Sequence, residues 1–122
     1  MRMETPDPEL AGPIAYDRAL ALHQVGGNPA IADELIGMML AELPSQKAAM
    51  SVALQAADLQ ALRQVVHRIH GSASCCGTPA IKQASAALEL AILQGELAQM
   101  PELHDKLQAA IDRLIALMGT TG

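Results

Sequence analysis

The tripeptide Gly77-Thr78-Pro79 does most to narrow what this chain can fold into. Glycine ends a helix as its C′ residue, threonine caps the next helix and proline opens it. On both sides apolar residues recur every three to four positions, as in a helix that buries one stripe. Two helices joined by so short a turn should pack antiparallel, as in an up-and-down bundle.

Similar punctuation divides the rest of the chain. A first short helix is expected from about Ile14 to Val25, ended by Gly26-Gly27. Asn28-Pro29 reads as N-cap and first residue of a second helix, which continues through Leu35, Met39 and Leu43. Pro44 either kinks that helix or starts a new one running to Ala57. Asp58 caps a third helix, Leu59 to Cys76. A fourth runs from Pro79 to about Gln94, and a last one from about Met100 to Met118. Ile81, Ala84, Leu88 and Ala91 form the fourth helix's stripe; Leu103, Leu107, Ala110, Leu114 and Leu117 form that of the last.

Composition agrees with an all-α fold. Of 122 residues 51% are apolar, chiefly Ala, Leu, Ile and Met, with no Phe, no Trp and only Tyr16 as an aromatic. Strand formers are correspondingly scarce. Residues 1–13, with Pro6, Pro8 and Pro13, are expected to be a linker or frayed tail. Residues 14–119 should form the single domain, and 120–122 a frayed C-terminus.

A net charge of -5, with eight scattered Lys and Arg and no aromatic platform, argues against nucleic acid as the main partner. No apolar run approaches the ~20 residues of a membrane span, and the N-terminus has no signal-peptide core. Cys75 and Cys76 are adjacent, and a helix would hold their side chains apart. A disulfide framework is therefore not expected, and the reducing cytoplasm is the default compartment.

The third helix carries the candidate chemistry. Leu59, Leu62, Val66, Ile69, Ala73 and Cys76 fall in one core-facing sector at 100° per residue. His67 lies roughly 140° from its centre, Gln64 about 160° and Gly71 about 180°. His67 therefore points outward. A helical glycine costs ~1 kcal/mol relative to alanine. Gly71, one turn beyond His67 on the exposed face, has a use if another protein's surface must approach the imidazole; tight packing or a local kink is the competing explanation. His70, about 80° from the core centre, is a neighbour of His67 at i, i+3. In an antiparallel hairpin about Gly77-Thr78, His67 lies opposite Leu88 and Glu89. Leu88 belongs to the core stripe, so Glu89 falls at its edge. A carboxylate there, on Nδ1–H, would fix the tautomer and leave Nε2 as a nucleophile.

The segment His67-Arg68-Ile69-His70-Gly71-Ser72, followed by Cys76-Gly77 and by Ala87-Leu88-Glu89, resembles the signature of histidine-phosphotransfer (HPt) domains. The closer likeness is to the C-terminal HPt domain of tripartite hybrid sensor kinases of the BarA/GacS type, where a second histidine also stands three places after the first. The likeness runs from about Tyr16 to Met118. It implies an elongated up-and-down four-helix bundle, here with a short additional N-terminal helix. It also implies that His67 accepts a phosphoryl group from a receiver-domain aspartate and passes it to a response-regulator aspartate. Glu89 matches the position, usually Gln or Glu, that bonds the imidazole. His70 stands where the wider family commonly has a lysine that screens the phosphoryl charge; a neutral imidazole supplies one hydrogen bond and no charge.

The chain shows no P-loop, no kinase-type glycine-rich loop and no acidic cluster for Mg²⁺. The expectation is a phosphocarrier that is not itself an enzyme and needs no cofactor, with Mg²⁺ brought by the partner receiver domain. Arg63, Gln64, Arg68 and Ser74 flank the exposed face and are candidates for receiver docking, although surface charge serves solvation equally well. The isolated domain is expected to be a monomer without direct membrane contact. The subgroup likeness favours a domain of a longer kinase, on the cytoplasmic side of the inner membrane, over a free protein. One alternative is a helical adapter that binds receivers without carrying phosphate. Another is a metal site at His67, His70 and Cys75. Against the latter, Cys75 lies about two turns beyond His67. His23 and His104, which look like lone surface residues, offer no ligand at matching depth.

Overall fold

The computed structural model describes residues 12–119. Helix α1 spans Arg18–Gln24, α2 Pro29–Gln55, α3 Leu59–Ala73, α4 Pro79–Gln94 and α5 Met100–Gly119, with a 3₁₀ turn, Leu97–Gln99, before α5. Helix α2 packs on α3 and α5, α3 on α4, and α4 on α5, which closes an up-and-down four-helix bundle; α1 lies against α2. At 1.5 Å per residue α2 is roughly 40 Å long, so the bundle is elongated. The expectations for residues 1–11 and 120–122 lie outside the described residues.

The helix starts follow the sequence signals. Asp17 accepts from the Leu20 N–H, Asn28 from those of Ala30 and Ile31, and Asp58 from that of Ala61. Thr78 occupies the N-cap position of α4 but does not cap with its side chain. Fully buried, its hydroxyl instead donates back to the Ala73 carbonyl (3.4 Å).

Three readings need correction, and one left open is decided. Pro44 does not end α2, which runs through it as one helix. Its ring is exposed, while Leu43 and Met50 on either side are fully buried. Burial of both halves against one core outweighs the missing N–H donor. Helix α1 begins at Arg18, not Ile14, because the chain ahead of it bonds elsewhere: the Ala80 N–H donates to the Ile14 carbonyl (3.1 Å) and the Asp17 N–H to the Gly77 carbonyl (2.8 Å). Helix α3 ends at Ala73, before Cys76. The Ser74 hydroxyl bonds the His70 carbonyl, and Cys75 N–H bonds the Ser72 carbonyl, so the last turn tightens. In α5 Leu117 is exposed and Met118 packs on the core instead.

The Gly77 turn is held to α1 by close contact. Gly77 has φ +69°, and a Cβ there would stand 2.6 Å from Ala21 Cβ and 2.7 Å from the Asp17 carbonyl oxygen. Only glycine fits. The core itself is aliphatic, built from Leu43, Met50, Leu62, Ile69, Ile81, Leu88, Met100, Leu107, Ile111 and Leu114, with Tyr16 packed at its edge beside α1.

Candidate functional site

Helix α3 turns Leu62, Val66, Ile69 and Ala73 into the core, and that leaves the opposite face of its middle turns to solvent. His67 lies on this face with 70% of its side chain exposed. Its ring is nonetheless fixed. Nδ1 stands 2.8 Å from Glu89 Oε2, and the Glu89 side chain is only 14% exposed. A carboxylate accepts and does not donate, so His67 carries its proton on Nδ1 and presents Nε2 to solvent. The same Glu89 oxygen is 4.0 Å from Nε of Arg63, one turn before His67 on α3.

Gly71 is helical and exposed, and a Cβ there would meet nothing within 4 Å. Tight packing within the bundle therefore does not explain it. What the missing side chain leaves clear is the outer surface one turn beyond His67. His70 is half-buried; its carbonyl accepts from the Ser74 hydroxyl (2.9 Å), which commits Ser74 to the end of its own helix. Gln64 and Arg68 are exposed beside His67.

Two residues near Glu89 were not read from the sequence. Leu90 and Leu93 are 54% and 58% exposed on the outer face of α4. Leu93 is one turn beyond Glu89, and Ala86, also exposed, continues the strip. The signal was available: both leucines fall off the Ile81–Leu88–Ala91 stripe, and apolar residues there have no core to enter.

His104 corrects the picture of a lone surface residue, for it is buried at 7% exposure. Gln108 Nε2 bridges its Nε2 (3.0 Å) to the Lys47 carbonyl (3.2 Å) and the Ser51 hydroxyl (3.3 Å) of α2. The Lys47 carbonyl requires the amide N–H₂ on that side, so His104 accepts at Nε2. It joins α5 to α2. His23 is exposed. Cys75 and Cys76 are free thiols, and burial pushes the Cys76 thiol up to about 12, with neighbouring Cys75 adding to the effect. Such a thiol is not a nucleophile at neutral pH. Among the described residues no group of three or more His, Cys, Asp or Glu is placed to hold a metal ion, and no helix is long and apolar enough to cross a membrane.

A helical bundle that exposes an imidazole oriented by a carboxylate has the form of a carrier of a transferable group. Residues 34–117 match the family profile described as the Hpt domain, and the chain belongs to that family, the phosphotransfer modules of two-component phosphorelays. It is 32% identical over 105 residues to the sensor protein GacS of Pseudomonas syringae pv. syringae, covering 86% of this chain and 12% of that protein. It is 33% identical over 110 residues to the sensor histidine kinase GacS of Pseudomonas protegens, covering 89% of this chain and 12% of that one. The chain thus spans a small part of the curated relatives it matches. The crystal structure of the HPT domain from a sensor hybrid histidine kinase of Shewanella superposes with a TM-score of 0.62 at 22% identity, over 84% of this chain and 95% of that one. That likeness shows the fold.

Proposed function

We propose that His67 is the phosphorylated residue, taking a phosphoryl group from the aspartate of a receiver domain in a hybrid sensor kinase and passing it to the aspartate of a response regulator. The carrying observation is that His67 is held at Nδ1 by Glu89 while the rest of its ring stays open. The Nε2 lone pair attacks phosphorus in line, the aspartyl oxygen–phosphorus bond breaks, and the carboxylate leaves with its electron pair. The ring, now substituted on both nitrogens, gains positive charge, which the adjacent Glu89 carboxylate offsets. Transfer onward reverses these steps.

Mg²⁺ belongs to the receiver in this reading, since the step otherwise needs only an oriented base and a docking surface from this chain. Gly71 lets the receiver come close, and the half-buried His70 supports the phosphoryl group by a hydrogen bond. Leu90 and Leu93 on α4, with Gln64 and Arg68 on α3, form the face on which the receiver sits. The module works on the cytoplasmic side of the membrane, within a longer kinase.

The test is incubation with a phosphorylated receiver and Mg²⁺. Acid-labile, base-stable phosphate should appear on the wild type and be absent from His67→Gln. No label with any of several receivers, while binding persists, would replace the carrier with an adapter that docks receivers without chemistry.

A further inference from the structure

We infer that Arg63 is a positioning residue for His67: its charge keeps the Glu89 carboxylate turned to α3, and thereby holds the imidazole in its Nδ1–H form. The ring geometry involved is independent of phosphorylation, although its use in transfer rests on the reading of His67 given above.

Glu89 has little access to water, its side chain being 14% exposed. A carboxylate so placed needs compensation from the protein. Its Oε2 has two partners, both from α3: His67 Nδ1 at 2.8 Å and Arg63 Nε at 4.0 Å. The neutral imidazole gives one hydrogen bond and no charge. Arg63 gives the charge. Residues 63 and 67 are one turn apart, so both approach Glu89 from the same side of the same helix.

The distances divide the roles. At 4.0 Å Arg63 forms an ion pair and not a hydrogen bond, which leaves the close position on Oε2 to His67. Other cations are differently placed: Arg68 lies about 100° around α3 from His67, and Lys82 stands two turns before Glu89 on α4. Because Arg63 acts by charge and not through its planar fork, lysine should replace it. Receiver docking through a bidentate guanidinium would not tolerate that exchange.

The experiment is nitrogen NMR of ¹⁵N-histidine-labelled protein, alkaline enough for neutral imidazole, combined with phosphotransfer rates. In wild type the Nδ1–H form of His67 should dominate. Arg63→Gln should raise the Nε2–H fraction and slow transfer about two- to five-fold, the range of a half-exposed ion pair. Arg63→Lys should restore both. In a Glu89→Gln background Arg63→Gln should add nothing. An unchanged tautomer in Arg63→Gln overturns the inference. So does a transfer defect that persists undiminished with Glu89→Gln, since Arg63 would then act on the receiver directly. If the wild type takes up no phosphate, the proposed function fails while the ring measurement still decides the role of Arg63.

Discussion

Nδ1 of His67 and Oε2 of Glu89 lie 2.8 Å apart although the residues are 22 positions distant in sequence, on helices joined only through the Gly77 turn. One partner is largely exposed and the other largely enclosed. The enclosed one therefore orients the exposed one, and its loss should reach chemistry before it reaches stability. Exchange of Glu89 for Ala should slow phosphoryl uptake about 10- to 100-fold, as removal of an orienting partner commonly does. Circular dichroism and the melting temperature should change little. An unchanged single-turnover rate would remove Glu89 from the site.

Gly71 separates stability from function in the opposite sense. A Cβ there meets nothing, and alanine is the better helix former by ~1 kcal/mol. Gly71→Ala should raise the unfolding free energy by about 0.5–1 kcal/mol. A longer side chain, as in Gly71→Gln, should keep most of that gain and yet weaken transfer, because it occupies the approach to His67. Denaturant titration beside a transfer assay checks both signs.

The hairpin that joins His67 to Glu89 was legible from local signals alone: the Gly77-Thr78-Pro79 break, the α3 core sector, and equal distances from the turn. Three departures from the sequence reading share a cause. Ile14–Asp17 are not helical because their backbone groups bond the α3–α4 turn, and α2 passes through Pro44 because Leu43 and Met50 are both buried. His104 looks like a surface residue in the sequence because its partners, Gln108 and two groups on α2, come together only in the folded bundle. Each of these is a tertiary contact that helix periodicity does not encode. Leu90 and Leu93 are different: their positions were readable, but an exposed leucine acquires meaning only beside Glu89.

Gly77 should tolerate nothing larger. Its φ of +69° and the 2.6 Å separation between a would-be Cβ and Ala21 Cβ combine two penalties. Gly77→Ala should cost about 2–4 kcal/mol. Amide exchange at Asp17 and Ala21 should accelerate as α1 lifts from the turn. Exchange rates equal to the wild type would show that the contact is easily relieved.

Ala57 ends α2 with φ 54°, and Asp58 N–H bonds the Ala53 carbonyl (2.9 Å) behind it, in a position that glycine usually fills. Ala57→Gly should therefore stabilise the protein by about 1 kcal/mol. A lower midpoint in urea would contradict this.

The buried Cys76 thiol gives a pH dependence with a definite sign. Its folded value is pushed from 9.0 to about 12, so the unfolded chain loses this proton first as pH rises. Stability is unaffected by Cys76 below about pH 8 and falls between 9 and 12. Cys76→Ala should flatten that part of the curve, which melting temperatures at several alkaline pH values would reveal.

An aliphatic interior with Tyr16 as its one neighbouring aromatic has an optical consequence. Tyr16 sits beside α1 and accepts from Arg18 through its hydroxyl (3.2 Å). With no tryptophan in the chain, emission excited at long wavelength in any complex comes wholly from the binding partner. Tyrosine emission from the free protein, in turn, reports the seating of one small helix. Each half of an encounter can thus be watched in its own spectral window without attaching a dye.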